Sequence, residues 1–340
     1  MRRIARSIMA LMASARIFAF GATALLAFAR CSGGGGTSAA AAPQSPSVSL
    51  PLPATSSTPS PALSASSSAP PTSAPSPSPA PTATALSSPS PAPSTPTQFV
   101  SRWNPAATDT FQWQLSGTYD SSISASVYDV DAFETSAATI ASLHASQHHV
   151  VCYLNAGAYE NYRPDASSFP SFVLGSVYNG YPDERWLDIR QLSALAPIMD
   201  ARLDLCRSKG FDAVEPDNID GYTNATGFPL QASDQTAYNG WFAQHAHARG
   251  LSIALKNDGA QAASLIASFD FVLAEDCWFY AECSAYAPFV NARKAVFTVE
   301  YTDNTTSATF HRNVCPPSAT AGMTAILKNR SLDAYRDVCP

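Results

Sequence analysis

The residues able to do chemistry recur at one kind of place. Short runs of Val, Ile, Leu and aromatic side chains each end in carboxylates, amides or an amine. Gln112 and Gln114 flank Trp113 on the first run, and Asp129 and Asp131 close the second. Asn155 ends the third, with Gly157, Tyr159 and Glu160 just behind it. Glu215, Asp217, Asn218 and Asp220 follow the fourth run, and Lys256, Asn257 and Asp258 the fifth. Glu275 and Asp276 follow the sixth, Glu300 and Tyr301 the seventh. A single such Asp is weak evidence, because Asp and Asn also begin helices as caps. Recurrence on run after run is the stronger signal. Two carboxylates at one site suit glycoside hydrolysis: one protonates the leaving oxygen, and the other attacks carbon or activates water. Burial and like charge decide which does which.

Groups at the ends of separate runs act together only if the fold gathers those ends. The runs lie at 111–115, 126–130, 149–154, 213–215, 252–255, 271–274, 295–299 and 324–327, eight in all. They are short and rich in Val, Ile, Phe and Tyr, as strands buried on both faces are. Helical patterns separate several of them. Ala137, Ile140, Ala141 and His144 share a face; so do Leu192, Leu195, Met199 and Cys206, and then Tyr238, Trp241, Phe242 and His245. Ser233 or Asp234 is the expected N-cap of that third helix, and Gly210 and Gly250 are expected left-handed C-caps. Alternating β and α units predict a parallel sheet. Eight strands predict closure into a (β/α)8 TIM barrel, whose strand C-terminal ends form the active face. A doubly wound sheet is the alternative fold. No G-x-G-x-x-G follows the first run, which argues against its dinucleotide-binding form.

Five segments carry a specific resemblance. They are Trp113-Gln114-Leu115, Cys152-Tyr153-Leu154-Asn155-Ala156-Gly157-Ala158-Tyr159-Glu160, Trp186-Leu187-Asp188-Ile189-Arg190, Gly210-Phe211-Asp212-Ala213-Val214-Glu215-Pro216-Asp217-Asn218-Ile219-Asp220, and Ala274-Glu275-Asp276-Cys277. In this order they resemble the motifs of glycoside hydrolase family 114, the endo-α-1,4-polygalactosaminidases. The Glu-Pro-Asp-Asn-x-Asp block is the most distinctive. The resemblance implies a (β/α)8 barrel, endo-cleavage of α-1,4-linked galactosamine polymers, no cofactor, and an essential acidic pair falling on Asp217 and Glu275. Asp217 is then the expected nucleophile or stabilising carboxylate, and Glu275 the general acid/base. Glu215 is the alternative to Asp217, since it too ends a strand. Asp129, Asp131, Asn155, Tyr159, Glu160, Glu215, Asn218, Asp220, Lys256, Asn257 and Trp278 are expected around the substrate. Lys256 is placed to pair with a carboxylate and keep it ionised. Tyr159, Tyr162, Trp186, Tyr222, Trp278 and Tyr280 offer aromatic faces to sugar rings and amines. The alternative function is a catalytically silent carbohydrate-binding barrel at the cell surface.

Charge and composition bound the setting. The chain has 20 Lys+Arg and 26 Asp+Glu. Arg2, Arg3, Arg6, Arg16 and Arg30 all precede the first acidic residue, so the remainder carries 15 against 26, a net of −11. An acidic domain is a poor partner for nucleic acid and a good one for a cationic polysaccharide. A monomer without stable protein partners is expected. Arginines followed by an apolar run at 17–29 and Ala27-Phe28-Ala29 have the layout of a secretory signal peptide over 1–30. A signal anchor, or a lipid on Cys31, are the variants. Residues 32–101 contain no charge and sixteen of the 27 prolines; the segment 31–98 is an expected disordered tether. The globular hydrolase is expected over 99–340, secreted or tethered through its N-terminus. Beyond Cys31 there are six cysteines, an even number in an exported domain. Six cysteines allow 15 pairings; the working expectation is Cys152–Cys206, Cys277–Cys283 and Cys315–Cys339. No C-x-x-C occurs and no His–Cys spacing suits a metal, so no metal is expected.

Overall fold

The computed structural model describes residues 102–120 and 122–340. The expected signal peptide, tether and Cys31 lie outside the described residues. The described chain begins with β1 (Phe111–Trp113), β2 (Val127–Asp131), helix α1 (Ala137–Ala145) and β3 (His149–Asn155). A separate antiparallel sheet follows, built from β4 (Ala158–Glu160), β5 (Leu174–Tyr178) and β6 (Tyr181–Leu187) in the order β4-β6-β5. The main sheet then resumes: α2 (Leu192–Lys209), β7 (Ala213–Asp217), α3 (Ala232–Ala248), β8 (Ser252–Lys256), α4 (Ala262–Leu265), β9 (Phe271–Glu275), α5 (Ala287–Asn291) and β10 (Val296–Tyr301). A helical segment of α6 (Ser307–Thr309), a π-turn at Phe310–Val314 and α7 (Cys315–Ala321) leads to β11 (Thr324–Lys328) and β12 (Asp337–Val338).

Eight of these strands are parallel neighbours in the order β1-β2-β3-β7-β8-β9-β10-β11, with β12 antiparallel on the edge of β11. The two ends meet at a seam. Thr324 Oγ1 donates to Asp109 O at 3.3 Å, Lys328 Nζ to Gln112 Oε1 at 3.2 Å, and Leu115 N to Leu332 O at 2.9 Å. The fold is the TIM barrel of the sequence reading, not the doubly wound alternative.

Strand alternation sorts the side chains into two cores. Phe111, Trp113, Val151, Tyr153, Phe271, Leu273, Phe297, Val299 and Tyr301 pack inside the barrel. Val150, Cys152, Leu154, Val214, Ile253, Leu255 and Val272 face the helices, against Leu195, Met199, Leu203 and Phe242. The same period of two sends Glu215 and Asp217 inward on β7, Lys256 on β8 and Glu275 on β9.

Local details differ from the sequence reading in two places. On α1 the buried face is Ile140 and Leu143, while His144 reaches sideways to Asp212 Oδ2 at 2.9 Å. Helix α3 starts earlier than expected, with Gln231 as its cap; Asp234 becomes the third helical residue and accepts from Gln231 N at 2.8 Å, completing a capping box. Gly210 does close α2 in the left-handed region, at φ 95°.

Three disulfides staple the described residues: Cys152–Cys206, Cys277–Cys283 and Cys315–Cys339. The first joins β3 to α2 across 54 residues of chain. Closing a loop of that length restricts the unfolded chain by about 4 kcal/mol at 25 °C. Replacing both Cys152 and Cys206 by alanine is therefore expected to lower the unfolding free energy by about 4 kcal/mol, read from the urea transition. A loss below about 1 kcal/mol would mean the staple adds little to what the barrel core already fixes.

Candidate active site

Lys256 is the centre of the barrel mouth. Its ammonium lies 2.7 Å from Glu215 Oε1, 2.9 Å from Asp217 Oδ1 and 3.2 Å from Glu275 Oε2. The ring of Trp113 lies 4.5 Å away and adds a cation–π contact. Burial works against the ammonium's charge. Asp217, Glu215 and Glu275 outweigh burial and hold its pKa well above the ordinary lysine value. The lysine therefore keeps one fixed positive charge among three carboxylates.

Depth separates the three. Glu215 is fully sealed, whereas the Asp217 and Glu275 side chains are each 19 % exposed. Beneath Glu215 lies Asp129, equally sealed. Burial, then the charge of Glu215, push Asp129 far above the usual carboxylate range. Burial also raises Glu215, to about 7, although Lys256 and Asp129 pull it back. Neither oxygen of Asp129, nor Glu215 Oε2, finds a protein donor if both acids are ionised. A proton on Asp129, shared with Glu215, joins one oxygen of each acid.

Asp217 and Glu275 stand above this layer, each held by its own donors. Asp217 accepts from Lys256, from Tyr153 OH at 2.9 Å and from Asn218 N at 2.9 Å. Glu275 accepts from Tyr301 OH and, at 3.4 Å, from Asn257 Nδ2, while Asn257 Oδ1 takes the Glu275 backbone N–H at 2.9 Å. The chain leaves all three strand ends by left-handed residues: Asn218 (φ 62°), Asn257 (φ 51°) and Asp276 (φ 51°). Asn and Asp tolerate that conformation best among residues with a side chain. The β7 end is further pinned by Ala156 N and Gly157 N, both 3.0 Å from Asp217 O. Gly157 has no substitute there, because a Cβ would lie 1.7 Å from Asn218 O.

This arrangement has two partly exposed carboxylates over a buried cation, at the C-terminal face of a barrel. The model of glycoside hydrolase family 114 matches residues 92–340. The chain belongs to glycoside hydrolase family 114. Among solved structures, the family 114 chain resembles the crystal structure of Ega3 from Aspergillus fumigatus in complex with galactosamine. The two are 36 % identical, the match covers 70 % of this chain and 97 % of that one, and the TM-score is 0.67. The glycoside hydrolase domain of PelA from Pseudomonas aeruginosa shares the fold at 12 % identity, with a TM-score of 0.54 over 68 % of this chain and 98 % of that one. No curated protein sequence matches it.

Not every expected residue of this glycoside hydrolase reaches the mouth. Asp131 and Glu160 are buried on Arg163, at 2.7 and 2.8 Å, and Asp131 also caps the Phe133 and Glu134 N–H groups. Both are occupied in anchoring the segment after β4. Asn155 is buried and accepts from Ala158 N at 2.7 Å, shaping the turn after β3. Asp129, Glu215 and Lys256 are sealed in the layer beneath Asp217 and Glu275. Tyr159 packs edge-on against Phe169. Trp278 is turned inward, its indole N–H on Thr298 Oγ1 at 3.2 Å. Asn218 and Asn257 do flank the pair. Asp220 is half-buried on the loop behind Asp217; burial and then the charge of Asp217 raise it to about 6. Behind it, Asp258 is raised to about 8 by burial and Asp220, and is held by Tyr222 OH at 3.1 Å and Asn239 Nδ2 at 3.2 Å.

Sequence reading missed the β5–β6 hairpin. Its tip is Tyr178-Asn179-Gly180-Tyr181, with Tyr178 paired to Tyr181 and Gly180 at φ 85°. Asn-Gly between strand-forming residues is a strong hairpin signal, and it was available in the sequence. Tyr178 stacks on Trp186 at 4.7 Å, and the acids it feels are Asp217, Asp220 and Glu275. The hairpin therefore walls the mouth. Arg330, also missed, lies over the Tyr301 ring at 4.0 Å and bonds Asp276 at 2.9 Å and Asp303 at 2.6 Å. Nothing local to Arg330 in the sequence points to Tyr301.

Proposed function

We propose that the protein is a secreted hydrolase that cleaves internal α-1,4 linkages of galactosamine-containing polysaccharide. Asp217 is its nucleophile and Glu275 its general acid/base. The observation that carries this reading is the depth difference on Lys256: Glu215 is sealed, and Asp217 and Glu275 are open to a substrate. The donors converging on Asp217 from Lys256, Tyr153 and Asn218 suit an ionised nucleophile. Similarity to Ega3, which was crystallised with galactosamine, supports the sugar. One lysine among Asp217, Glu215 and Glu275 leaves the mouth net negative, which favours a sugar bearing a free ammonium. Three disulfides and the leader sequence support export.

The geometry also supports retention of configuration. Asp217 Oδ1 and Glu275 Oε2 lie 2.9 and 3.2 Å from one nitrogen, so these two oxygens are at most 6.1 Å apart. Inverting hydrolases need roughly 6.5–9.5 Å between carboxyls to seat a water, and retaining ones about 5–5.5 Å. The test is incubation of the full chain with purified α-1,4-galactosamine polymer, following reducing ends, product sizes and product anomer by proton NMR. Internal cleavage with α-anomer appearing first is expected. Appearance of β-anomer first would overturn the double-displacement assignment. Binding without release of reducing ends would overturn the hydrolase and leave a carbohydrate-binding barrel.

A further inference from the structure

Tyr181 carries a polar group that finds no partner among the described residues. It opens β6 directly after the Asn179-Gly180 turn, its ring 5.2 Å from that of Tyr178. It is only 6 % exposed, and its hydroxyl is buried with no hydrogen-bond partner among the described residues. Buried tyrosine hydroxyls ordinarily find one, and each exception in a native structure calls for an explanation. The neighbouring tyrosines obey the rule: Tyr153 donates to Asp217, and Tyr301 to Glu275. Burial first, and then Glu275, Glu184 and Asp217, push the Tyr181 phenol above its ordinary pKa, with Arg330 acting the other way. The hydroxyl thus remains a neutral donor, in the field of both reactive carboxylates.

We propose that Tyr181 is a substrate-contacting catalytic residue, its unpartnered hydroxyl donating to an oxygen of the sugar unit held between Asp217 and Glu275. This rests on the hydrolytic reading of the mouth. Hydrogen bonds to sugar oxygens strengthen as the oxocarbenium-like transition state develops. The hydroxyl sits at the tip of a two-residue hairpin turn, so a small displacement of that tip uncovers it to the sugar, where a donor stripped of water acts more strongly than one in solvent. The same desolvation that burdens the free protein becomes useful once sugar arrives. Phenylalanine at this position keeps the ring packing and deletes only the unpaired group. Removing an unsatisfied buried hydroxyl does not weaken a fold in the way that removing a bonded one does. Activity and stability should therefore move in different directions.

The experiment compares wild type with Tyr181→Phe on an α-1,4-galactosamine oligosaccharide, with melting temperatures measured in parallel. The expected result is a kcat/KM lower by about 10- to 100-fold, with an unchanged or higher melting temperature. A kcat/KM within twofold of wild type, or a lowered melting temperature, overturns the proposal. If wild type itself releases no reducing ends, the hydrolytic reading fails separately, and calorimetric binding of the same oligosaccharide decides the role of Tyr181. Weaker binding by Tyr181→Phe supports the contact; equal binding, or none by either protein, overturns it.

Discussion

Asp217→Asn and Glu275→Gln are each expected to lower kcat on galactosamine polymer by about 10^3-fold or more, while circular dichroism shows an intact barrel. A factor of a thousand corresponds to roughly 4 kcal/mol of transition-state stabilisation. Such a loss is reasonable for a group that forms or breaks a bond. The substitutions are nearly isosteric, and both side chains reach solvent, so neither strands a sealed charge. The two variants should then part company. With an activated aryl leaving group, the first step needs no proton, so Glu275→Gln should recover much of its glycosylation rate. Asp217→Asn should recover none, because no other open carboxylate replaces the missing nucleophile; Glu215 is sealed beneath it. Recovery by Asp217→Asn and not by Glu275→Gln would reverse the two roles. Activity within tenfold of wild type for either variant would remove that residue from the chemistry.

The barrel was legible because its strands are buried on both faces. Runs such as 150–154 and 271–274 are apolar at every position, and a polar residue follows each, Asn155 or Glu275, at the mouth. The place where hydrophobicity gives way to Asp or Glu therefore marks the active face. Depth was not legible. Glu215 and Asp217 share a face of one strand, and only the stagger against β8 decides that Lys256 roofs Glu215 and leaves Asp217 open. The buried setting of Asp131 and Glu160 is hidden from the sequence for a similar reason. Their partner Arg163 comes from the loop beyond β4, and the ion pair depends on where that loop folds back. The hairpin was a different kind of omission, since Tyr178-Asn179-Gly180-Tyr181 announces itself locally.

The largest effect on stability is expected from Lys256→Met. Breaking a buried ion pair by removing one partner costs about 3–5 kcal/mol, because the other charge is left unpaired. Here one nitrogen serves three carboxylates, so the upper end of that range is expected at pH 8. The sign with pH follows from Glu215. Its folded pKa is about 7 even with Lys256 beside it, against an ordinary value of 4.5. Loss of the lysine raises it further, so as pH rises through about 7 the folded variant keeps a proton that the folded wild type releases. Glu215 titrates alike in both unfolded chains, so the variant's stability relative to wild type falls as pH rises through about 7 to 8, and the gap narrows toward pH 5, where both folded forms hold the proton. Lys256→Met with Glu215→Gln should regain part of the loss at pH 8, since the sealed charge is gone; activity should stay low, because Asp217 and Glu275 still lack their fixed cation. Urea unfolding at pH 5 and pH 8 measures all of this. A single variant within about 1 kcal/mol of wild type at pH 8 would show that the mouth tolerates its carboxylates without the lysine. The lysine's part would then be confined to orienting Asp217 and Glu275 for the reaction.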